Sequence, residues 1–243
     1  DSPDLLYKFA RIALDLKLAA GALQALNRAI ELRPGEASYY FLSGVAWLEK
    51  PDLDEAESAF RKSLRLRPDY AASQVYLGYV LLKQKKLGEA REWLERGIQK
   101  KNGQKKNGQK KNGQKKNGQQ ETGAAETYYY LGLIAQEQNE HEKAGRLFAN
   151  AIRLAPSFAH AHIALGAMYL KLKNYPRARQ SLDLGAKLNP DDSKAHYNLA
   201  LLYSRLNEPE RAREEMQIVE RLKNNSGQQA ESDAAPPSVI RPN

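Results

Sequence analysis

The sequence repeats itself with a step of 34 residues, and this step restricts the chain to architectures built by stacking similar units. Small residues keep the step at Ala10, Gly44 and Gly78, and again at Gly132, Gly166 and Ala200. Alanines keep it at Ala22, Ala56 and Ala90, and again at Ala144, Ala178 and Ala212. Between the two series the step is 54 residues, which is one repeat with 20 additional residues. The chain is therefore predicted to contain six units, in two sets of three.

Each unit is predicted to form two helices joined by a short turn. In segments such as SYYFLSGVAWLEK and EAESAFRKSLRLR, apolar residues recur at i, i+3, i+4 and i+7, the spacing of one helix face. A proline ends the second helix of four units, because proline cannot continue a helix. These prolines are Pro34, Pro68, Pro156 and Pro190. The recurring small residues are expected to let the two helix backbones of a unit approach closely.

This pattern resembles the tetratricopeptide repeat family. The second unit carries the family's pattern at Tyr40, Gly44, Trp47, Ala56, Phe60 and Pro68. The six units begin near Pro3, Ala37, Ala71, Ala125, Ala159 and Ser193, and departures from the pattern occur at Ser63, Asn102 and Asn224. The resemblance implies an all-α fold, a right-handed α-solenoid of six helix-turn-helix repeats. It also implies that the first helices line a concave groove where peptides or protein segments dock.

The 20 additional residues correspond to four copies of the word QKKNG, which span 99–118. Asn-Gly in every word is unfavourable in a helix interior, and a period of five builds no apolar face. We predict a disordered low-complexity loop between repeats 3 and 4. The predicted organisation is repeats 1–3 over 1–104, the insertion over 105–124, repeats 4–6 over 125–226, and a disordered tail over 227–243.

The formal net charge of +9 arises mostly from the insertion, whose words hold eight lysines and no acidic residue. Outside them the chain has 30 basic against 29 acidic residues, so no basic face for specific nucleic-acid recognition is predicted. A non-specific polyanion-binding arm is an alternative, and it predicts salt-sensitive binding that is lost when residues 99–118 are deleted. The simpler interpretation is a duplication within the gene that the fold tolerates, because long surface insertions cost little stability.

No residue pattern indicates catalysis, a cofactor or a metal. The chain has no cysteine, and it contains neither Gly-x-Ser-x-Gly nor a phosphate-binding glycine loop. His160 and His162 are two residues apart, on different sides of a helix, so they would not jointly hold one metal ion. His162 and His196 occupy equivalent positions and are expected to pack at a helix interface. No apolar run reaches the roughly 18 residues of a membrane span, and the compartment is left open.

The predicted binding site is an apolar and aromatic stripe along the first helices, which we call the groove stripe. It comprises Phe41, Leu42, Val45 and Leu48 in repeat 2, Val75, Tyr76, Tyr79 and Leu82 in repeat 3, Tyr129, Tyr130 and Leu133 in repeat 4, Ile163 in repeat 5, and Tyr197 and Leu201 in repeat 6. Tyrosine suits a recognition surface because it combines a large rigid ring with a hydroxyl at its tip. The alternative is that these side chains pack on one another between adjacent repeats.

The leading hypothesis is a non-enzymatic scaffold that binds a peptide or helix of a partner protein in this groove, centred on the second to fourth repeats. Some relatives capture the C-terminal carboxylate of chaperones with a lysine, asparagine and arginine clamp. The corresponding positions, which include Tyr7, Arg11 and Leu42, do not form it. We therefore expect an apolar or aromatic ligand segment. The alternative hypothesis is a regulatory or targeting module of a larger enzyme or assembly complex whose other domains are not in this sequence.

Overall fold

The computed structural model describes residues 2–104 and 118–226, with side chains for 2–98 and 123–225. These ranges contain twelve α-helices and no strand, so the predicted all-α fold is confirmed. Most of the predicted disordered loop, at 105–117, and the predicted tail at 227–243 lie outside the described residues. The chain divides into two compact units between Gly123 and Ala124.

Unit 1 contains three helix pairs that pack in chain order. Its helices are α1 (Pro3–Asp15), α2 (Ala19–Leu32), α3 (Ala37–Glu49), α4 (Leu53–Leu66), α5 (Ala71–Lys83) and α6 (Leu87–Gln104). The two helices of a pair pack on each other, and the second helix also packs on the first helix of the next pair, α2 on α3 and α4 on α5. The first helices begin at Pro3, Ala37 and Ala71, where the sequence predicted the repeats to begin.

Unit 2 has the same arrangement of helix pairs. Its helices are α7 (Gly118–Glu137), whose first residues belong to unit 1, then α8 (His141–Leu154), α9 (Ala159–Lys171), α10 (Tyr175–Leu188), α11 (Ser193–Arg205) and α12 (Pro209–Ser226). The second helices again pack on the next first helices, α8 on α9 and α10 on α11. The predicted repeat starts at Ala159 and Ser193 are confirmed.

The helices on either side of the insertion run into the QKKNG words. The sequence favoured an interruption at the QKKNG words, but α6 continues through the first word to Gln104, and α7 begins at Gly118 instead of Ala125. Extending an existing helix avoids the cost of nucleating a new one. Lysine, glutamine and glutamate are also good helix formers, which offsets the local penalty of Asn-Gly. The boundaries of the insertion stay a prediction between these two helices.

The turn inside a repeat has a left-handed residue that the residue types do not indicate. Five such residues have φ near 60°: Lys17 (φ 58°), Lys85 (φ 61°), Asn139 (φ 60°), Lys173 (φ 57°) and Asn207 (φ 60°). With Pro51 (φ 21°) between Lys17 and Lys85, they keep the 34-residue step within each unit. The next residue then bonds back to the end of the first helix, as in the 2.7 Å bond from the Leu18 N–H to the Ala13 carbonyl. This is the usual way for a left-handed residue to close a helix. Glycine generally marks it, and here lysine and asparagine do so.

The small residues of the 34-residue pattern permit close helix contact, as predicted. A Cβ placed on Gly44 of α3 would lie 2.5 Å from Cε1 of Phe60, which is fully buried in α4. A Cβ on Gly78 of α5 would lie 2.5 Å from Cγ of Leu94 in α6. Such distances are shorter than van der Waals contact, so the helices of these pairs pack closer than any larger residue allows.

Candidate functional site

The groove stripe of unit 1 is mostly buried inside the repeats. Phe41 belongs to a group that we call the aromatic cluster, made of Phe41, Phe60, Tyr70 and Tyr76. The ring centroid of Phe41 lies 5.9 Å from that of Phe60 and 5.3 Å from those of Tyr70 and Tyr76. The remaining stripe residues of unit 1 are buried as well, apart from the half-buried Leu48: Leu42, Val45, Val75, Tyr79 and Leu82. Packing therefore accounts for these side chains, and a role in docking stays a prediction.

Unit 2 repeats the same packing around Tyr129. Its ring centroid lies 5.5 Å from that of Tyr130, 5.8 Å from that of Phe148 and 5.1 Å from that of Phe158. Phe148 and Phe158 stand on the second helix and in the following linker, as Phe60 and Tyr70 do in unit 1. Tyr129, Tyr130 and Ile163 are buried, whereas Leu133 is half-buried. In this unit also, the stripe therefore lies on a layer of packed aromatic rings.

The most exposed part of the groove stripe in the described residues lies on α11. Tyr197 is 48% exposed and Leu201 is 38% exposed. They are four residues apart on one helix, so their side chains lie on the same face, one turn from each other. Asn198 beside them uses its Nδ2 to donate to the Lys194 carbonyl at 2.7 Å, so its amide is held against the helix. The pair offers a ring, a hydroxyl and a branched aliphatic group to solvent.

Burial has an electrostatic consequence at Tyr79. Desolvation of its hydroxyl raises the pKa of Tyr79 to about 12, because the buried site disfavours the tyrosinate form. The pKa of Tyr70 is raised as well, chiefly by desolvation. The Tyr70 hydroxyl has no hydrogen-bond partner among the described residues. Both tyrosines are thus uncharged at neutral pH and belong to the packed interior of unit 1.

We expect the stability of the chain to fall between pH 10 and 12 in part because of Tyr79. The pKa of Tyr79 in the folded chain lies above its ordinary value of 10. The uncharged hydroxyl therefore contributes fully to the unfolding free energy below pH 10, and this contribution is lost as the pH rises towards 12. Tyr79→Phe removes this ionisation, and its urea unfolding free energy should decline less over that range, by up to about 2 kcal/mol. A difference between the two proteins that stays constant from pH 8 to 12 would show that Tyr79 ionises normally.

Four equivalent side chains bond the carbonyl of the proline that ends the preceding second helix. The Tyr40 hydroxyl donates to the Pro34 carbonyl at 3.0 Å, and Gln74 Nε2 donates to the Pro68 carbonyl at 3.0 Å. His162 Nε2 and His196 Nε2 make the same contact, each at 2.9 Å, with the carbonyls of Pro156 and Pro190. Both histidines are buried, as predicted for packing residues, and a contact with a second helix is seen for His196, whose Nδ1 lies 2.7 Å from Oε2 of Glu215 in α12. A donor six residues after each closing proline was the signal in the sequence.

The remaining candidate features of the described side chains are a shallow depression and the ion pairs around it. Within residues 2–98 and 123–225 no three His, Cys, Asp or Glu side chains lie close enough to hold a metal ion. A depression of about 180 Å³ is lined by Arg61, Leu64, Arg65 and Trp93, which is below the roughly 300 Å³ at which ligand pockets begin. Arg61 is already bonded to Glu57 at 2.8 Å and to Glu89 at 2.7 Å. Of the helices described, none is long and apolar enough to cross a membrane.

Comparison with protein families gives matches over both halves of the chain. Models of the tetratricopeptide repeat match residues 7–71, 52–105, 135–196 and 183–214. Among curated proteins, the human aspartyl/asparaginyl beta-hydroxylase is 30% identical over 79 residues, and the mouse protein is 29% identical over 79 residues. The match takes in 32% of this chain but only 10% of the human protein and 11% of the mouse protein. The chain thus spans about a tenth of the length of these relatives.

Comparison with solved structures gives similar folds over most of the chain. PilF of Pseudomonas aeruginosa superposes with a TM-score of 0.75 at 18% identity, over 93% of this chain and 94% of that protein. PilW, described as a type IV pilus biogenesis factor, gives 0.73 at 13% identity, over 94% and 95% of the two chains. YrrB, described as having an unusual peptide-binding site, gives 0.56 at 17% identity, over 84% and 94%. At these identities the likeness concerns the fold alone.

Proposed function

Because the chain belongs to the tetratricopeptide repeat family, we propose that it is a non-enzymatic scaffold that binds a peptide or helix of a partner protein along its first helices. The observation that carries the proposal is the exposure of Tyr197 and Leu201 on the groove stripe of α11. An exposed aromatic ring beside an exposed leucine is the kind of anchor that peptide-binding surfaces use. The solved structure of YrrB, whose peptide-binding site is part of its description, supports a peptide as the ligand class.

The charges near this pair indicate what the ligand segment should contain. Arg205 lies four residues after Leu201, so Tyr197, Leu201 and Arg205 follow one face of α11. Lys171 occupies the equivalent position at the end of α9, and both cations are exposed. A ligand with an apolar or aromatic anchor and an acidic side chain next to it would therefore match both features. The buried members of the stripe, such as Tyr129 and Ile163, act as a rigid support in this proposal.

A displayed library of random twelve-residue peptides, panned on the full chain, tests the proposal. We expect enrichment of peptides with a large apolar or aromatic residue beside an acidic one. Tyr197→Ala and Leu201→Ala should each weaken the enriched peptides by about 10-fold, which corresponds to about 1.4 kcal/mol per anchor. Binding can be measured by fluorescence anisotropy or calorimetry on the purified variants.

Leu184→Ala provides the matched control for Leu201→Ala. Leu184 is a leucine of α10 with 39% exposure, almost the same as Leu201, but it stands on a second helix instead of the groove stripe. The control should leave the peptide affinity unchanged. Equal losses for Leu184→Ala and Leu201→Ala, or none for Tyr197→Ala, would contradict the assignment of the binding face to α11. Binding centred on the second to fourth repeats stays a prediction, and it would appear as loss of affinity in Leu48→Ala or Leu133→Ala.

A second candidate function is a regulatory or targeting module of a larger enzyme or assembly complex. It is favoured by the 30% identity over 79 residues to a part of the human aspartyl/asparaginyl beta-hydroxylase. In that case the enzymatic chemistry would reside in another domain, and this chain would position a substrate or a subunit. The complete open reading frame decides between the two candidates. A catalytic domain in the same reading frame supports the second, and a frame that encodes repeats alone supports the first.

A further inference from the structure

The first helix carries an exposed apolar face, which we call the α1 seam. It consists of Leu5, Phe9, Ile12 and Leu16, with exposed fractions of 65%, 56%, 59% and 64%. The spacing of four, three and four residues places all four side chains on one side of the helix, in the pattern of a coiled-coil interface. None of the other helices of unit 1 covers this face, since α2 and α3 contact α1 elsewhere. Four large apolar side chains in a row are unusual for an exposed helix face.

The α1 seam differs from the faces that α3 and α5 use for stacking. On α3 and α5 the first three equivalent positions are buried: Tyr39, Ser43 and Ala46, then Ser73, Leu77 and Val80. Those faces include small residues, which suit the close approach of a preceding helix, whereas the seam has Leu5 and Phe9 at the corresponding places. The fourth position is polar on both helices, Lys50 and Gln84, but apolar in α1, where it is Leu16. The seam is therefore bulkier than the stacking faces of α3 and α5, and its apolar fourth position is shared with α9 and α11, where Leu172 and Leu206 stand.

The last helix does not provide a complementary surface for head-to-tail stacking of two copies. Glu220 of α12 is exposed at the position equivalent to the buried Leu64 of α4. Arg213 and Gln217, which precede it by seven and three residues, are exposed as well. Met216 is the one large apolar side chain exposed among these polar residues in the described part of α12. A second copy therefore cannot cover the α1 seam with its α12 without burying the charge of Glu220.

We propose that the α1 seam pairs with the α1 seam of a second copy of this chain, antiparallel and about a two-fold axis. In this arrangement Leu5 of one copy packs against Leu16 of the other, and Phe9 packs against Ile12. Lys8 and Asp15 are both exposed along the same edge of the seam. The antiparallel pairing brings Lys8 of each copy near Asp15 of the other, so the charges are self-complementary about the axis.

The size of the seam sets the expected strength of the dimer. Each α1 offers on the order of 400 Å² of apolar surface, so the paired seams bury roughly 800 to 1,000 Å² in total. This is below the roughly 1,200–2,000 Å² of stable specific interfaces and in the range of weak, reversible ones. The expected result is a reversible dimer with a dissociation constant in the micromolar range, which closes at two copies because a two-fold contact leaves no free seam.

Sedimentation equilibrium of the full chain from about 1 to 300 µM tests the proposal. We expect a monomer–dimer equilibrium, and Phe9→Glu should raise the dissociation constant at least 100-fold because each dimer carries the change twice. The melting temperature should stay the same, because Phe9 is more than half exposed in the single chain. Leu184→Glu on α10 is the matched control and should leave the dimer unchanged. If Phe9→Glu does lower the melting temperature, Ile12→Glu repeats the test at a second exposed position.

A charge exchange distinguishes direct pairing from an indirect effect on the fold. Lys8→Glu should weaken the dimer by about 10-fold, and the combined variant Lys8→Glu with Asp15→Lys should restore it, since the exchange recreates opposite charges across the axis. A chain that remains monomeric at 300 µM overturns the proposal, as does assembly beyond two copies. So does a dimer that is indifferent to Phe9→Glu and Ile12→Glu. These results are independent of peptide binding at Tyr197, which lies in unit 2.

Discussion

Phe41→Ala should lower the free energy of unfolding by about 3–5 kcal/mol, the cost of deleting a fully buried aromatic ring. Phe41 is the centre of the aromatic cluster and contacts three other rings within 6 Å. The cavity left by its removal cannot easily collapse, because Phe60 and Tyr76 are themselves fully buried and held by two different helices. Thermal melting and urea unfolding, both followed by helical circular dichroism, measure the loss.

Tyr197→Ala is the appropriate comparison, because Tyr197 belongs to the same groove stripe but is about half exposed. Its removal should change the unfolding free energy by less than about 1 kcal/mol. If Phe41→Ala lowers stability and Tyr197→Ala lowers peptide affinity, then the buried part of the stripe supports the fold and the exposed part contacts the ligand. If Phe41→Ala leaves stability intact and abolishes peptide binding, then the ring is accessible in solution and the packing interpretation of unit 1 is wrong.

The same substitution, glycine to alanine, should have opposite effects at two positions of unit 1. Gly44→Ala places a Cβ 2.5 Å from Cε1 of Phe60, so the α3–α4 pair must separate, at a cost of about 1–3 kcal/mol. Gly21→Ala in α2 meets no atom within 4 Å and gains helix propensity, so it should stabilise the chain by about 0.5–1 kcal/mol. The difference arises from packing alone, since both glycines are helical.

Unfolding in urea measures both variants against the unmodified chain. The sign of the change in unfolding free energy decides the test, and this sign is insensitive to the errors of extrapolation to zero denaturant. A Gly44→Ala variant that is as stable as Gly21→Ala would mean that the α3–α4 contact is looser than described. A stabilised Gly44→Ala variant would also remove the physical reason for the small residue in the 34-residue pattern.

The helices could be predicted from the sequence because their signals are local. Apolar spacing, closing prolines and the small residues predict starts of first helices that the structure confirms, as at Ala37 and Ala159. The extent of the helices beside the insertion could not be predicted, because the QKKNG words are ambiguous. They contain both good helix formers and Asn-Gly, so residue type alone favours neither helix nor interruption. The neighbouring helix on each side favours continuation, because extending a helix needs no new nucleus. The left-handed residues, such as Lys85, were missed because their conformation follows from the tight turn instead of from the residue type.

Burial of the groove stripe could not be predicted, because it depends on residues outside the first helices. Tyr70 and Phe158 follow the second helices of repeats 2 and 4 and pack on Phe41 and Tyr129. Helix periodicity alone predicts the stripe, and periodicity does not show which linker side chain covers a face. An aromatic residue at the end of a repeat was the available signal. The α1 seam was also missed, since apolar residues on an uncovered helix face look the same in sequence as those on a covered one.

The hydrogen bonds to the closing prolines bear on how such repeats can diverge. The acceptor is a main-chain carbonyl, which every residue type supplies, and the donors at Tyr40, Gln74, His162 and His196 are a phenol, an amide and two imidazoles. A substitution among these groups replaces one hydrogen-bond donor with another and keeps the hydrogen bond between successive repeats. Because the acceptor is a main-chain carbonyl, the substitution does not require a compensating change in a second side chain. Units of this chain can therefore accumulate substitutions independently while their spacing along the sequence stays constant.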